Sequence, residues 1–342
     1  MSVRQIAQLV GVSPATVSRA INNHPTVAPD VRKRVLAAVN RSGYISSVGK
    51  RSTTNIAFLY TGVRSLGSPY DAALMQGMSE RMDEFGFDLM ILPVQRALLP
   101  GESYTQLFHR KGIRGAVIRT DSRTRQVVEQ IAAEGLPHVV VGDRFDDPAV
   151  SSIHCDSGST SKEAVQHLLD LGHRRVGVCV NGVDDSDHLD RLNGYRAAIE
   201  GAGMEYDDRL VWREDARLDG GIQLARKIHA LRDRPTALFI GDPLTAVGAI
   251  NELGRLGVRV PDDMSIVGVD DGELRFVTSP RMTAIVQDTT EVGRESFEVV
   301  HQMMQSRGAQ VARGGSIEVP RGERRVLPTR LELHNSTAAP QS

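Results

Sequence analysis

The side chains best placed for chemistry lie on one face of a short helix near the N-terminus. Val17, Ala20 and Ile21 recur at helical spacing and turn inward, which leaves Ala15, Thr16, Ser18 and Arg19 outward. Ser13 followed by Pro14 starts this helix, a hydroxyl N-cap before proline at the first helical position. Two hydroxyls, an open alanine and one guanidinium suit hydrogen bonds to base edges and phosphates, not bond-making. Covalent chemistry has no foothold elsewhere. The chain contains no GxSxG, no GxxxxGK[ST] and no GxGxxG, and nothing sets a nucleophile beside a base. The acidic run Asp184-Asp185-Ser186-Asp187-His188-Leu189-Asp190 lacks the glycine and final glutamate of a calcium loop and reads as a solvated loop. His154-Cys155-Asp156 reads as a strand end. The two cysteines, Cys155 and Cys179, lie far apart in apolar runs without metal or disulfide spacing. We therefore expect no catalytic residue, no metal and no cofactor.

The elements that position the polar face are short helices. Val3, Ile6, Leu9 and Val10 repeat at helical spacing after a Ser2–Gln5 capping pair, and Gly11 stops them. A third helix is expected over Pro29–Ser42, with Val31, Val35, Ala38 and Val39 inward and Gly43 as its stop. Two short helices across a tight Gly-Val-Ser turn form a helix-turn-helix, whose second helix enters a major groove. Charge supports that reading over a mere three-helix cap. Residues 1–51 hold eight bases and one acid, a net of +7, against −1 for the whole chain, so the remainder carries −8. A basic end on an acidic body is the footprint of a phosphate-binding module, with Lys50 and Arg51 available for phosphates. Aromatic residues make up only 4% of the chain, too few for a single-strand stacking surface. With no apolar signal core and no run of ~18 apolar residues, the expectation is a soluble, cytoplasmic protein.

Beyond Tyr44, residues 46–55 are small, polar and basic, and read as a linker after a headpiece over 1–45. From Ile56 the pattern turns to short apolar strands alternating with amphipathic helices, and the alternation repeats. Strands are expected at Ile56–Tyr60, Leu89–Leu92, Ala116–Arg119, His138–Val141, Val176–Val180, Ala237–Ile240, Ser265–Val269 and Thr283–Val286, with Ser152–His154 as an edge strand and Val326–Leu333 as a returning strand. Ala309–Gly315 is expected to be a loop. Such an order implies parallel sheets covered on both faces. The core, 56–337, divides into lobe 1 (about 56–155 and 287–310) and lobe 2 (about 156–284 and 316–337). Ligands in such folds bind beyond the carboxyl ends of the strands.

Val17-Ser18-Arg19, Asn22, Val27 and Gly43-Tyr44 resemble the headpiece of the lactose-repressor (LacI/GalR) family of bacterial transcription regulators. The resemblance runs through most of the chain. Ser68-Pro69-Tyr70, Asp156, Leu171-Gly172-His173, Arg191-Leu192-Asn193-Gly194-Tyr195, the run Val260–Asp271, Pro280–Ile285 with Gln287-Asp288, and Leu327–Leu331 all match family motifs. It implies an all-α helix-turn-helix headpiece plus an α/β bilobed core like the periplasmic binding proteins. A homodimer would read a pseudo-palindromic operator in double-stranded DNA, and a small-molecule effector, a carbohydrate or related metabolite, would act from the cleft of the core. The implied DNA contacts are Ser13, Pro14, Ala15, Thr16, Ser18, Arg19, Asn22, Thr26, Lys50 and Arg51. The implied effector contacts are Tyr70, Asp143, Arg191, Asp242 and Asp270. A guanidinium fork at Arg191 suits vicinal hydroxyls or a carboxylate. Asp242 stands where the family commonly has asparagine, so an acceptor-only group replaces an amide.

Two alternatives come from other classes. A solute-binding protein without regulatory DNA binding is opposed by the basic headpiece and the missing export signal. An enzyme on the same fold is opposed by the absence of a catalytic motif. The chain also departs from the family after Tyr44. Ser46 and Ser47 replace the usual Pro-Asn, no Ala-Arg-x-Leu follows, and Gly49 disfavours a hinge helix by ~1 kcal/mol relative to alanine. Little central kinking of the operator is therefore expected. Circular-permutation bending with wild type and Val48→Ala checks this; a strong bend lost in Val48→Ala would show Val48 acting as a minor-groove wedge.

Overall fold

The computed structural model describes residues 3–21, 24–42, 53–62, 66–183, 185–312 and 321–341. Ser2, Asn22, Gly43 and most of the linker, with Val48, Lys50 and Arg51, lie outside them.

The headpiece consists of α1 (Val3–Val10), α2 (Pro14–Ile21) and α3 (Pro29–Ser42), which pack pairwise. Its core is Ile6, Ala7, Val17, Ala20, Ile21, Val27, Val35, Ala38 and Val39. Gly11 takes a left-handed φ of 73°, which lets Val12 N–H close back on the Ala7 carbonyl at 3.0 Å. One inward expectation fails: Leu9 is 64% exposed. It lies at the edge of the stripe formed by Val3, Ile6, Ala7 and Val10, and Ala7 is the residue that enters the core.

The chain divides into two compact units, each with one six-stranded sheet. Lobe 1 begins with β1 (Asn55–Tyr60), α4 (Pro69–Phe85), β2 (Asp88–Pro93), α5 (Val94–Ala97) and α6 (Tyr104–Lys111). It continues through β3 (Ile113–Arg119), α7 (Arg125–Ala133), β4 (His138–Val141) and β5 (Ser152–Cys155). Lobe 2 holds α8 (Ser157–Asp170), β6 (Val176–Asn181), α9 (Ser186–Gly201), β7 (Val211–Glu214), α10 (Leu218–His229), β8 (Ala237–Ile240), α11 (Pro243–Arg255), β9 (Ser265–Asp270) and β10 (Thr283–Gln287). The chain then passes through α12 (Thr289–Ala312) to β11 (Arg324–Leu327) and β12 (Thr329–Glu332). Strand order is β2-β1-β3-β4-β5-β11 in the first sheet and β7-β6-β8-β9-β10-β12 in the second. The two permutations are the same. β1 to β5 pair in parallel, as do β6 to β10, and β12 runs antiparallel to β10.

In lobe 2 the strands feed two cores. Val178, Val180, Phe239, Val267 and Ile285 face α8 and α9, while Cys179, Leu238, Ile240, Ile266 and Ala284 face α10 and α11. Side chains alternate faces along a strand, so a strand buried on both sides reads as a continuous apolar run. Each large side chain so buried contributes about 1.5–3 kcal/mol.

Several expectations change. β5 is not an edge strand, because β11 pairs outside it. The single returning strand at Val326–Leu333 is two strands broken at Pro328, which has no N–H for a ladder. β11 completes the first sheet and β12 the second, so the segment read as lobe 2 over 316–337 serves both sheets. The loop expected from Ala309 is helical as far as Ala312. α6 and β7 were not read from the sequence. α6 carried a signal in Ser103 and Gln106, a capping box with both bonds formed.

Helices α10 and α11 cross at glycines. A Cβ on Gly221 would lie 2.1 Å from the Thr245 carbonyl oxygen and 2.6 Å from Ala249 N, and one on Gly248 2.2 Å from the Leu218 oxygen. These are backbone atoms that no rotamer change relieves. Gly221→Ala is expected to lower stability by ~2 kcal/mol or more, whereas Gly254→Ala near the end of α11, with nothing within 4 Å, should raise it by up to ~1 kcal/mol. Urea midpoints at unchanged slope check both.

Candidate functional sites

The headpiece presents the polar face expected of it. Ser13 caps α2, its Oγ accepting from Thr16 N at 3.1 Å and lying 2.8 Å from Thr16 Oγ1. Pro14, Ala15, Ser18 and Arg19 are exposed and Thr16 is half-buried. They surround the buried Val17, Ala20 and Ile21, which fix the helix by its opposite face. Arg4, Lys33 and Arg34 add exposed positive charge. Thr26 is exposed in the turn after α2. Asn22, Lys50 and Arg51 lie outside the described residues.

In each sheet the chain order reverses once, between β1 and β3 in lobe 1 and between β6 and β8 in lobe 2. At such a switch point the two crossovers leave in opposite directions and open a crevice beyond the strand ends. In lobe 1, Thr61 follows β1 and its N–H donates to the Arg119 carbonyl at the end of β3, at 3.0 Å. Thr61 Oγ1 lies 3.0 Å from Thr120 Oγ1 and 2.8 Å from Thr124 Oγ1. Beside this hydroxyl cluster Asp121 pairs with Arg123 at 2.9 Å. Asp143, two residues beyond β4, is buried and bound by Arg125 Nη1 at 2.6 Å and by Arg144 N at 2.9 Å. The Arg125 guanidinium also stacks on Phe145, 3.9 Å from the ring centre. Tyr70 is half-buried in the first turn of α4. Sequence reasoning missed the threonines, since isolated hydroxyls after strands carry no periodic signal.

In lobe 2 the acidic run is mostly not a loop. Asp185 caps α9, accepting from His188 N at 2.8 Å, and from Ser186 the chain is helical with Asp187 buried. No group of three or more His, Cys, Asp or Glu able to hold a metal occurs among the described residues. Arg191, on the second turn of α9, is 5% exposed. Its Nη1 donates to the Gly241 carbonyl at 2.6 Å and its Nη2 to Gln287 Oε1 at 3.4 Å. Gly241 follows β8 and is bonded to the Cys179 carbonyl of β6 at 2.8 Å, which puts the guanidinium at the switch point. Asp242 caps α11, its Oδ1 accepting from Thr245 N at 3.0 Å and Thr245 Oγ1 at 3.1 Å.

The adjacent acids after β9 have different occupations. Asp270 was read as an acceptor for ligand hydroxyls. It is fully buried, and its carboxylate accepts from Gly272 N, Leu274 N, Arg275 N and Arg275 Nη1 at 3.2, 2.9, 3.3 and 2.6 Å. It therefore organises its own turn. Asp271 is the carboxylate bonded to Gln287, accepting from its Nε2 at 2.5 Å, while Arg191 bonds the other end of the same amide. Burial pushes its carboxyl from the usual 3.8 up to about 6. The charges of Asp242 and Asp270 push the same way, and Arg191 and Gln287 pull it back. Burial also raises the thiols of Cys155 and Cys179 far above the ordinary range, so neither is a nucleophile.

Both the headpiece and the core resemble known proteins. A family model described as "Bacterial regulatory proteins, lacI family" matches residues 2–47, and one described as "Periplasmic binding protein-like domain" matches residues 165–325. The chain is 27% identical to the HTH-type transcriptional repressor PurR of Photobacterium profundum over 312 residues, 90% of this chain and 92% of that protein. Among solved structures it is similar to a transcriptional regulator CelR–cellobiose complex, at 28% identity and TM-score 0.67, covering 98% of this chain and 99% of the other. It shares its fold with the lac repressor dimer bound to operator and the anti-inducer ONPF, at 23% identity and TM-score 0.68, covering 99% of each.

The raised carboxyl of Asp271 has a thermodynamic consequence. Between about pH 4 and pH 6 the folded chain holds a proton at Asp271 that the unfolded chain has released, so this group's contribution falls as pH rises through that window. Asp271→Asn removes this titrating group and keeps an acceptor for Gln287. The variant should match wild type near pH 4 and exceed it by ~1–3 kcal/mol above pH 6. Unfolding curves across that range check this, and a difference that does not vary with pH would overturn it.

Proposed function

The chain belongs to the lacI family of bacterial regulatory proteins, and on that premise we propose that it is a repressor whose operator binding is set by a small carbohydrate. Members of this family are DNA-binding transcription regulators and not enzymes. Two copies would read the two halves of a pseudo-palindromic operator through α2, with Ser13, Pro14, Ala15, Thr16, Ser18, Arg19, Asn22 and Thr26 in contact and Lys50 and Arg51 on phosphates. A duplex-DNA partner implies a cytoplasmic location. Among the described residues no helix is long and apolar enough to cross a membrane.

The observation that carries the DNA reading is the exposed row Pro14, Ala15, Ser18 and Arg19 on a helix anchored by its other face, in a segment of net charge +7. The observation that supports the effector reading is Arg191 at the lobe 2 switch point, within hydrogen-bond reach of Gly241 and Gln287 and next to Asp271. A planar fork beside a carboxylate and an amide offers donors and acceptors together, which suits vicinal hydroxyls. In the relative's complex the bound sugar is cellobiose. Asp242 offers its second carboxylate oxygen to the same ligand, and Tyr70 and Asp143 are proposed as contacts by their family positions. A ligand that prefers one arrangement of the lobes biases DNA affinity by population shift.

A mobility-shift series on random duplex DNA, followed by selection of a preferred duplex, tests the first part. Binding should weaken steeply with salt, and Arg19→Ala should lose at least ~tenfold on the selected duplex. A thermal-shift screen of sugars then tests the second. The sugar that raises the melting temperature should fail to do so in Arg191→Ala, while that variant still binds the duplex. Wild type without salt-dependent duplex binding would remove the regulator reading.

A further inference from the structure

The turn that leaves α2 is built around His24. Its backbone N–H donates to the Arg19 carbonyl at 2.8 Å, which ties it to the DNA-reading helix. Val27 N–H closes the turn on the His24 carbonyl at 3.2 Å, and the Val27 side chain is buried in the headpiece core. Arg32, in the first turn of α3, reaches back beneath it. Its Nη2 donates to the His24 carbonyl at 2.7 Å and to the Val27 carbonyl at 3.2 Å. Pro25 between them fixes one backbone angle.

The ring of His24 is held as well. Its Nδ1 lies 2.9 Å from Thr26 Oγ1 and 3.4 Å from Thr26 N. A backbone N–H can only donate, so Nδ1 is the acceptor. The neutral ring therefore carries its proton on Nε2. His24 is exposed, and this N–H stands ready for an acceptor outside the chain. A donor held in one tautomer on a turn tied at both ends has little ordering left to lose on binding.

We propose that His24 is a further DNA-contact residue, its Nε2–H donor presented by Thr26, and that Arg32 is the positioning residue that holds this turn instead of neutralising a phosphate. The proposal rests on the headpiece's binding duplex DNA. Arg32 counts toward the net positive charge, yet its guanidinium is half-buried and directed at two carbonyls. Lysine keeps the charge but has no planar fork to span them. The surface available to DNA thus extends past α2 by one turn, with a neutral donor at its end.

The test uses the full chain, the duplex that wild type selects from a random library, and a random-sequence duplex of equal length. His24→Ala should weaken binding to the selected duplex about fivefold, one hydrogen bond's worth. His24→Gln, whose amide N–H stands near the imidazole Nε2 position, should recover most of it. Arg32→Lys should lose as much as His24→Ala at unchanged charge, and the double variant no more than either alone. On the random duplex, Arg32→Met should leave the salt slope unchanged, whereas Arg19→Met should lower it by about one. The proposal is overturned if His24→Ala binds the selected duplex like wild type, if the two losses multiply, or if Arg32→Met lowers the salt slope as Arg19→Met does. The His24 variants alter an exposed side chain, so they decide the contact even if Arg32 variants fold poorly. Wild type binding neither duplex would instead remove the DNA reading itself.

Discussion

A parallel strand covered by helices on both faces can present chemistry only at its ends. In lobe 2 that constraint arranges everything else. Alternate side chains of β6, β8, β9 and β10 fill two separate cores, one under α8 and α9 and one under α10 and α11. Polar groups are excluded from both faces and gather where the strands stop, at Asn181, Gly241, Asp270, Asp271 and Gln287. Lobe 1 repeats the permutation and gathers Thr61, Thr120, Asp121 and Asp143 at its own strand ends. The helix contacts that cover the strands are close enough to demand glycine, as at Gly221 and Gly248. The same close packing that stabilises the sheet thus confines its polar groups to the strand ends, the switch point at one end and the His173, Ser265, Thr283 and Ser336 cluster at the other.

Burying charge there has to be compensated group by group. Asp270 is compensated completely, by three backbone N–H groups and the Arg275 guanidinium. Asp271 is compensated in part, by Gln287 and by the charge of Arg191, and its raised carboxyl records the remainder. Arg191 is itself held by a carbonyl and an amide oxygen, with no directly bonded carboxylate. The two neighbouring acids thus differ in how far their own chain satisfies them.

The headpiece follows a different logic. Its nine core residues are all alanine, valine or isoleucine, and a domain of this size buries a modest fraction of its surface. Stability there depends on local devices: the Ser13 cap, the left-handed Gly11 and the Arg32 clamp. Each also sets the direction of an exposed group. Structural and functional roles are consequently shared by the same few residues, whereas in the lobes they are divided between helix contacts and strand ends.

The sequence by itself determined what periodicity and charge can encode: three short helices with a polar outer row, a basic end on an acidic body, and two runs of alternating strands and helices. Those features are local or additive, so a linear reading recovers them. Arg191 was read from the family's Arg-x-x-Gly-Tyr motif and Asp242 from its place after an apolar strand; Arg191 lies on the second turn of α9 and Asp242 caps α11. The choice between Asp270 and Asp271 was not legible. One residue of shift along a strand reverses the face, and both acids fit the pattern equally well. The tertiary structure gives the two acids different partners, bringing Arg275 to Asp270 and Gln287 to Asp271 from 4 and 16 positions beyond Asp271. The threonine cluster of lobe 1, the double return at Pro328 and the His24–Arg32 clamp are of the same kind. Each depends on distances between segments that composition and spacing do not carry.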